Sequence, residues 1–340
     1  MIQKDFWRNS KVAVIGGGAF GTVLANIAAK NAMDVRIWVR AEEQARAINV
    51  TRAGEYLPEM PLDPKIHAST DLSKVFETGV QIVVWALPSE VCRSMAARLA
   101  PAFTGEEIIL HATKGIEQGS LKRISEILRE ELPVPRIGVI SGPNLAAEIA
   151  KGEPAAAVVA SRYREVIEAG QAVLTGERFR VYGVDDVVGV EWAGTLKNVL
   201  AIASGALDAM QFGWNARAML ITRGLAEMVR FGVAMGAKES TFLGLAGIGD
   251  LMATCASPLS RNYRVGARLA KGETLEQIME TLGSTAEGVR TTETVWKYAQ
   301  LHKIYMPITE AVYHVVKEKL PVRDALAGLM NKPSMPEMGT

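Results

Sequence analysis

The segment "KVAVIGGGAFGTVLANIAAK", residues 11–30, constrains the fold more than any other. A short apolar run ends in three consecutive glycines, a fourth follows at Gly21, and a long apolar-periodic stretch begins there. Passing from a strand directly into a helix needs a sharp turn, which glycine permits because it has no Cβ. Gly16, Gly18 and Gly21 stand at G-x-G-x-x-G spacing. In that pattern the first glycine makes the turn, the second lets backbone approach a pyrophosphate, and the third lets helix and strand pack closely. The backbone around Ala19 and Phe20 then opens the helix, and its N–H groups and dipole face the phosphates. The segment predicts the first βαβ unit of a dinucleotide-binding domain.

The next stretches extend that unit. "DVRIWVR", "QIVVWAL", "EIILHAT", "RIGVI", "PAAAVVAS" and "FRVYGV" are apolar, strand-like runs, most of them separated by helix-period segments. Uniformly apolar strands spaced by amphipathic helices indicate a mainly parallel sheet covered on both faces. Residues 1–186 are therefore expected to form a Rossmann-like α/β domain. After residue 186 the period changes to that of helices, over 187–211, 215–236, 261–271, 274–282, 287–301 and 307–319. An all-α domain over 187–330 follows, with a loose tail at 331–340.

Composition narrows the partners. Lys and Arg number 38 against 37 Asp and Glu, so no polyanion or membrane surface is indicated. The two cysteines, Cys92 and Cys255, are far apart, which suits a reducing compartment. The four histidines lack ligand spacing, so no metal is expected. The N-terminus has no signal-like apolar core, and no uncharged run is long enough to span a bilayer. A cytoplasmic protein that binds neither nucleic acid nor membrane is the expectation.

Several polar residues stand out against this frame. Arg40 ends the second strand-like run, where an NAD-selective site carries an acidic residue for the ribose. A guanidinium there grips a 2′-phosphate instead, which favours NADP(H), although Glu42 or Glu43 could still serve the ribose. Lys197 shares a helix face with Ala193, Leu200, Ala201 and Ser204 at about 100° per residue. An amine on such an apolar face is suited to proton transfer at a carbonyl, but taken alone the segment is better explained by a stem lying on apolar surface with a solvated amine. Asp250 follows a glycine-rich turn, as an N-cap would. Ser260, Arg261 and Asn262 open a further helix and suit a phosphate, although taken alone each is better explained as a plain cap or an exposed charge. Lys114 lies just past a strand, and in "SGPNLAAEIAKG" Gly142 makes a turn while Asn144 is placed to cap the next helix.

Taken together, "GGGAFGTVLA", "HATKGIE", "SGPNLAAEIAKGEP", "EWAGTLKNVLAIASG", "GLAGIGDLMATC" and "SRN" resemble the bacterial-type NAD(P)-dependent glycerol-3-phosphate dehydrogenases, over residues 11–320. The resemblance implies an N-terminal dinucleotide-binding domain, a helical C-terminal domain and an active site between them. It implies reversible reduction of dihydroxyacetone phosphate to sn-glycerol 3-phosphate with NADP(H) or NAD(H), feeding glycerophospholipid synthesis, in a homodimer without metal. By the same resemblance Lys197 is the proton donor and acceptor. Lys114 lies near substrate and nicotinamide, and Asp250, Ser260, Arg261, Asn262, Gly142 and Asn144 contact substrate. Gly16, Gly18, Ala19, Phe20, Gly21, Arg40, Lys114, Ala146, Arg261 and Glu287 meet the cofactor. Two positions depart from the family: Ala19 replaces a hydroxyl residue, and Thr285 a branched apolar one. The competing readings are a related two-domain hydroxyacid or polyol dehydrogenase and a non-catalytic NADPH sensor.

Overall fold

Successive residues of a strand point to opposite faces, so a strand buried on both sides reads as continuously apolar. The first half of the chain is built this way. The computed structural model describes residues 6–77, 79–282 and 286–333; Thr285 and residues 334–340 of the expected tail lie outside these. Eight strands form one sheet: β1 (Lys11–Ile15), β2 (Asp34–Trp38), β3 (Ile66–Ser69), β4 (Val80–Trp85), β5 (Ile108–His111), β6 (Ile137–Ser141), β7 (Ala155–Ala160) and β8 (Phe179–Val184). Their order is β3-β2-β1-β4-β5-β6-β7-β8. The β6–β7 pair is antiparallel and the other pairs are parallel.

Each face of the sheet has its own core. Val12, Val14, Val35 and Ile37 pack with Val23, Leu24 and Ala25 of α1 (Ala19–Ala29). On the opposite face Ala13, Ile15, Val83 and Trp85 meet Cys92, Ala96 and Leu99 of α2 (Cys92–Leu99) and Ile124, Ile127 and Leu128 of α3 (Ile124–Glu131). The helix α4 (Arg164–Leu174) returns to the first face with Val166, Ala169 and Val173.

One strand, β3, has no counterpart in the apolar runs of the sequence. Its "IHAS" is short and half polar because it is the sheet edge, buried on one side only through Ile66 and Ala68. The side chain of Asn49 closes that edge. Its Nδ2 donates to Ala68 O at 2.9 Å and its Oδ1 accepts from Ala68 N at 2.8 Å, which removes pairing groups that an exposed edge would offer.

Beyond β8 the described residues are helical: α5 (Val187–Ala209), α6 (Trp214–Ala234), α7 (Asp250–Ala256), α8 (Arg261–Ala270), α9 (Leu275–Leu282), α10 (Glu287–Leu301), α11 (Pro307–Lys317) and α12 (Val322–Met330), with a short turn of helix at Glu239–Phe242. The short segment α12 lies beyond the helical periods read in the sequence; it starts directly after Pro321, which suits a helix start, and buries only Ala325. The chain divides into two compact units, one of residues 1–194 with 236–253, the other of residues 195–235 with 254–340. Segment 236–253 belongs to the first unit for an identifiable reason. The carboxylate of Asp186 accepts from Gly189 N at 2.9 Å, Lys238 N at 2.9 Å and the Thr241 hydroxyl at 2.6 Å. Among the described residues no single helix is long and apolar enough to cross a membrane.

Candidate active site

The glycine turn lies at the carboxyl ends of β1 and β4, where the strand order reverses. Open α/β sheets take their ligands at that point. Three of the glycines are demanded by the protein's own packing. Gly16 has φ +117°, and a Cβ on it would lie 2.5 Å from Ala86 O. A Cβ on Gly17 would lie 2.4 Å from Val39 Cγ1, and one on Gly21 2.0 Å from Gly16 O. Gly18 differs: a Cβ there would meet nothing within 4 Å. Among the described residues no packing contact requires glycine at this helix N-cap. The carbonyl of Gly17 is tied down by Gln44 Nε2 at 2.6 Å, a support that the motif does not reveal.

The region after β2 sorts its charges. Arg40 is exposed and makes no ion pair among the described residues. Glu42 is occupied, because its carboxylate accepts the Thr70 hydroxyl. Of the two acidic residues that could compete for a ribose, one is thus engaged elsewhere.

A polar cluster of the first unit forms past the ends of β5 and β6. Lys114 Nζ donates to Asp250 Oδ2 at 2.6 Å and to Gly142 O at 3.4 Å. Asp250 is only 2% exposed, so the pair is a desolvated one on the acid side. Tight coiling of "GLAGIG" delivers this carboxylate; a Cβ on Gly247 would lie 2.0 Å from Phe242 O. Asp250 is the first residue of α7 rather than the cap expected from its place after the glycines, and its oxygen is spent on Lys114. Asn144 is also not a cap. The following helix, Ala146–Ala150, starts behind Leu145 with no side-chain cap. With its amide oriented to donate, Asn144 Nδ2 reaches Ala156 O at 3.1 Å and Pro143 O at 3.2 Å, holding the turn at Gly142 (φ +143°). Ala146 begins that helix and Gly194 of α5 lies bare against the cluster, where a Cβ would stand 3.4 Å from Ser141 Oγ and 3.7 Å from Lys114 Cγ.

The same helix is anchored one turn earlier by a buried carboxylate that no motif in the sequence marks. Glu191 accepts from Ser125 N at 2.8 Å, Ser125 Oγ at 2.6 Å and Arg123 at 2.7 Å, and lies 3.2 Å from His111 Nε2. Burial alone would raise its pKa, but His111, Arg123 and Ser125 together hold it down at about 2.

The second unit carries the lysine. Lys197 is 5% exposed, and its Nζ donates to Thr254 Oγ1 at 2.7 Å. The amine is therefore held inside, not stretched out to solvent. Thr254 sits one helical turn after Asp250, and nothing in its sequence neighbours marks it. Beyond Lys197 along α5, two helices touch through backbone. A Cβ on Gly205 of α5 would lie 1.9 Å from Tyr263 O, and one on Gly266 of α8 1.8 Å from Ile202 O. Ser260 caps α8, its hydroxyl accepting from Tyr263 N at 3.3 Å. Arg261 follows as an exposed first-turn residue and Asn262 as a buried one. Asn262 Oδ1 accepts from Gly288 N at 3.0 Å, and Glu287 is the residue that begins α10 beside it.

No group of three or more His, Cys, Asp or Glu side chains among the described residues is placed to hold a metal. A phosphate cradle at a sheet switch point serves chemistry that a dinucleotide carries, for which the protein supplies orientation and charge. The fold and the glycine turn thus suit the class of dinucleotide-binding proteins. Comparison with known proteins narrows the class. The profile described as NAD-dependent glycerol-3-phosphate dehydrogenase N-terminus matches residues 11–167, and its C-terminus counterpart matches residues 186–327. The chain is 46% identical over 321 residues to glycerol-3-phosphate dehydrogenase [NAD(P)+] of Acinetobacter baumannii (strain SDF), covering 94% of this chain and 89% of that one. It is 42% identical to the protein of that name from Leuconostoc mesenteroides, covering 95% and 98%. A crystal structure of glycerol-3-phosphate dehydrogenase from Coxiella burnetii superposes with TM-score 0.89 at 37% identity, over 96% of this chain and all of that one. The chain belongs to the NAD(P)-dependent glycerol-3-phosphate dehydrogenase family.

Proposed function

We propose that the protein catalyses the reversible NAD(P)H-dependent reduction of dihydroxyacetone phosphate to sn-glycerol 3-phosphate. The observation that carries this reading is the Lys197 amine, buried on a helix and held by Thr254. A general acid must present a proton at a fixed point, and burial with a hydrogen bond to Thr254 does so. When bound, the nicotinamide supplies the hydride for the ketone carbon. Lys197 donates the proton that the carbonyl oxygen takes up, and withdraws it in the opposite direction. Lys114, held by Asp250, and the turn at Gly142 and Asn144 orient the ketone. Arg261 and Asn262 bind the substrate phosphate, with Ser260 fixing the start of their helix.

The fit to a dinucleotide rests on Gly18, where the protein leaves open a position that a side chain could otherwise occupy. Ala19, Phe20 and Gly21 continue the cradle, and Ala146, Glu287, Lys114 and Arg261 complete the cofactor contacts. Arg40 binds the 2′-phosphate when the cofactor is NADP(H), and NAD(H) is the other cofactor of this reading. The remaining parts of the reading are two functional domains at 1–186 and 187–330, a homodimer, cytoplasmic location and supply of glycerophospholipid synthesis. The test is a spectrophotometric assay of NADPH oxidation with dihydroxyacetone phosphate, repeated with NADH and with unphosphorylated dihydroxyacetone. Turnover that needs the phosphate supports the reading; cofactor binding with no turnover of the keto phosphate overturns it.

A further inference from the structure

We infer that Gly288 is a positioning residue for the substrate phosphate, acting through the orientation of the Asn262 carboxamide. The inference rests on the function proposed above. A carboxamide has an acceptor end and a donor end of nearly equal shape, and an anion tolerates only the donor. Something must therefore choose which end faces the ligand. In the second unit that choice is made by a backbone group. Gly288 is the second residue of α10, and an N–H in the first turn of a helix has no partner within the helix. It donates to Asn262 Oδ1 at 3.0 Å. The acceptor end is consumed, and Asn262 Nδ2 meets no hydrogen-bond partner among the described residues. Both of its N–H groups remain for an anion, at the first turn of α8 beside Arg261.

The absence of a side chain at Gly288 is what allows the contact. A Cβ there would lie 2.6 Å from Asn198 O and 2.7 Å from Asn262 Oδ1. The first of these is rigid helix backbone next to Lys197. The second is the orienting bond itself. A methyl group therefore drives the start of α10, Glu287 included, away from α5 and α8 and breaks the lock on Asn262.

Two variants test this, with the wild type measured alongside. Gly288→Ala should raise KM for dihydroxyacetone phosphate, and the Kd of glycerol 3-phosphate, by about tenfold to a hundredfold, the range for losing one hydrogen bond to a charged group. Its kcat at saturating substrate should stay within about threefold of wild type. Asn262→Asp keeps the acceptor for Gly288 N and replaces only the donor end by an anion. It should fold with an unchanged melting temperature and raise the same KM by about a hundredfold or more, without a matching change in the Kd of NADPH. A merely structural role would lower the melting temperature and the active fraction while leaving KM in place. Unchanged KM in a folded Gly288→Ala overturns the inference; if that variant does not fold, unchanged KM in Asn262→Asp overturns it. Wild-type protein that cannot turn over dihydroxyacetone phosphate overturns the functional reading and the inference together, whereas active wild type with unaffected variants overturns the inference alone.

Discussion

Replacing Lys197 by methionine separates chemistry from packing. The side chain is 5% exposed, so its stem already behaves as a core group. Methionine has nearly the same length and fills the same space, and volume-conserving swaps of this kind cost less than about 1.5 kcal/mol. The Thr254 hydroxyl, which accepts from Lys197 Nζ at 2.7 Å, loses that donor but keeps its own O–H to donate elsewhere. Folding stability should therefore hold. The catalytic loss should be large, because a positioned general acid contributes about 10²–10⁴ in rate. At about 1.4 kcal/mol per decade this is about 3–5.5 kcal/mol on the barrier. The assay is NADPH oxidation at saturating dihydroxyacetone phosphate, with the melting temperature and the NADPH Kd measured on the same preparation. A fall in kcat of about a hundredfold or more with unchanged Kd is expected. A kcat within about fivefold of wild type refutes the acid–base role. A loss of kcat that tracks a loss of cofactor affinity refutes it equally, since the residue would then support the fold rather than the proton transfer.

Other perturbations reach separate parts of the account. Gly18→Ala should leave the melting temperature unchanged, because no protein atom lies within 4 Å of the new Cβ, yet raise the KM for cofactor about tenfold or more. An equal KM would show that no ligand approaches this backbone. Arg40→Gln should weaken NADPH by about tenfold to a hundredfold and leave NADH nearly unaffected; parallel changes in the two would remove the 2′-phosphate role. Two buried carboxylates should shape stability against pH with opposite sign. Glu191 is held at about 2, below its ordinary 4.5, so its contribution of about 3 kcal/mol is present above pH 4.5 and lost as pH falls towards 2. Glu227 is pushed up to about 7, chiefly by burial and against the bonds it accepts from Ile308 N, Thr309 N and Thr309 Oγ1, so it costs stability as pH rises from about 4.5 to 7. Thermal melts of Glu227→Gln should lose that neutral-pH decline, and a decline identical to wild type would refute the assignment.

Much of this architecture is legible in the residues, and the parts that are not share a physical reason. Strands buried on both faces declare themselves as apolar runs, which is why seven of the eight are visible. The edge strand β3 is not, since half its side chains face solvent and its pairing is completed by the distant Asn49. The glycine turn is legible because each residue has a local duty. Gly17 and Gln44 escape the pattern because their partners, Val39 and Gly17 O, are set by how β2 and the helix after it pack. Helix periods place Lys197 on an apolar face, but they cannot say whether its amine is held inside; Thr254, fifty-seven residues away in sequence, decides that. The caps expected at Asn144 and Asp250 fail for a related reason. Both side chains are drawn to tertiary partners, Ala156 O and Lys114, which outcompete the local helix start.

The central claim concerns one amine and one carbinol oxygen. A crystal structure of the protein with oxidised NADP and glycerol 3-phosphate measures their separation directly. The account predicts Lys197 Nζ within hydrogen-bond reach, about 3 Å, of the substrate's central oxygen, with the phosphate on Arg261 and Asn262. A well-defined ternary complex in which that oxygen is bound by other groups, with the Lys197 amine still turned to Thr254 and out of reach, would contradict it.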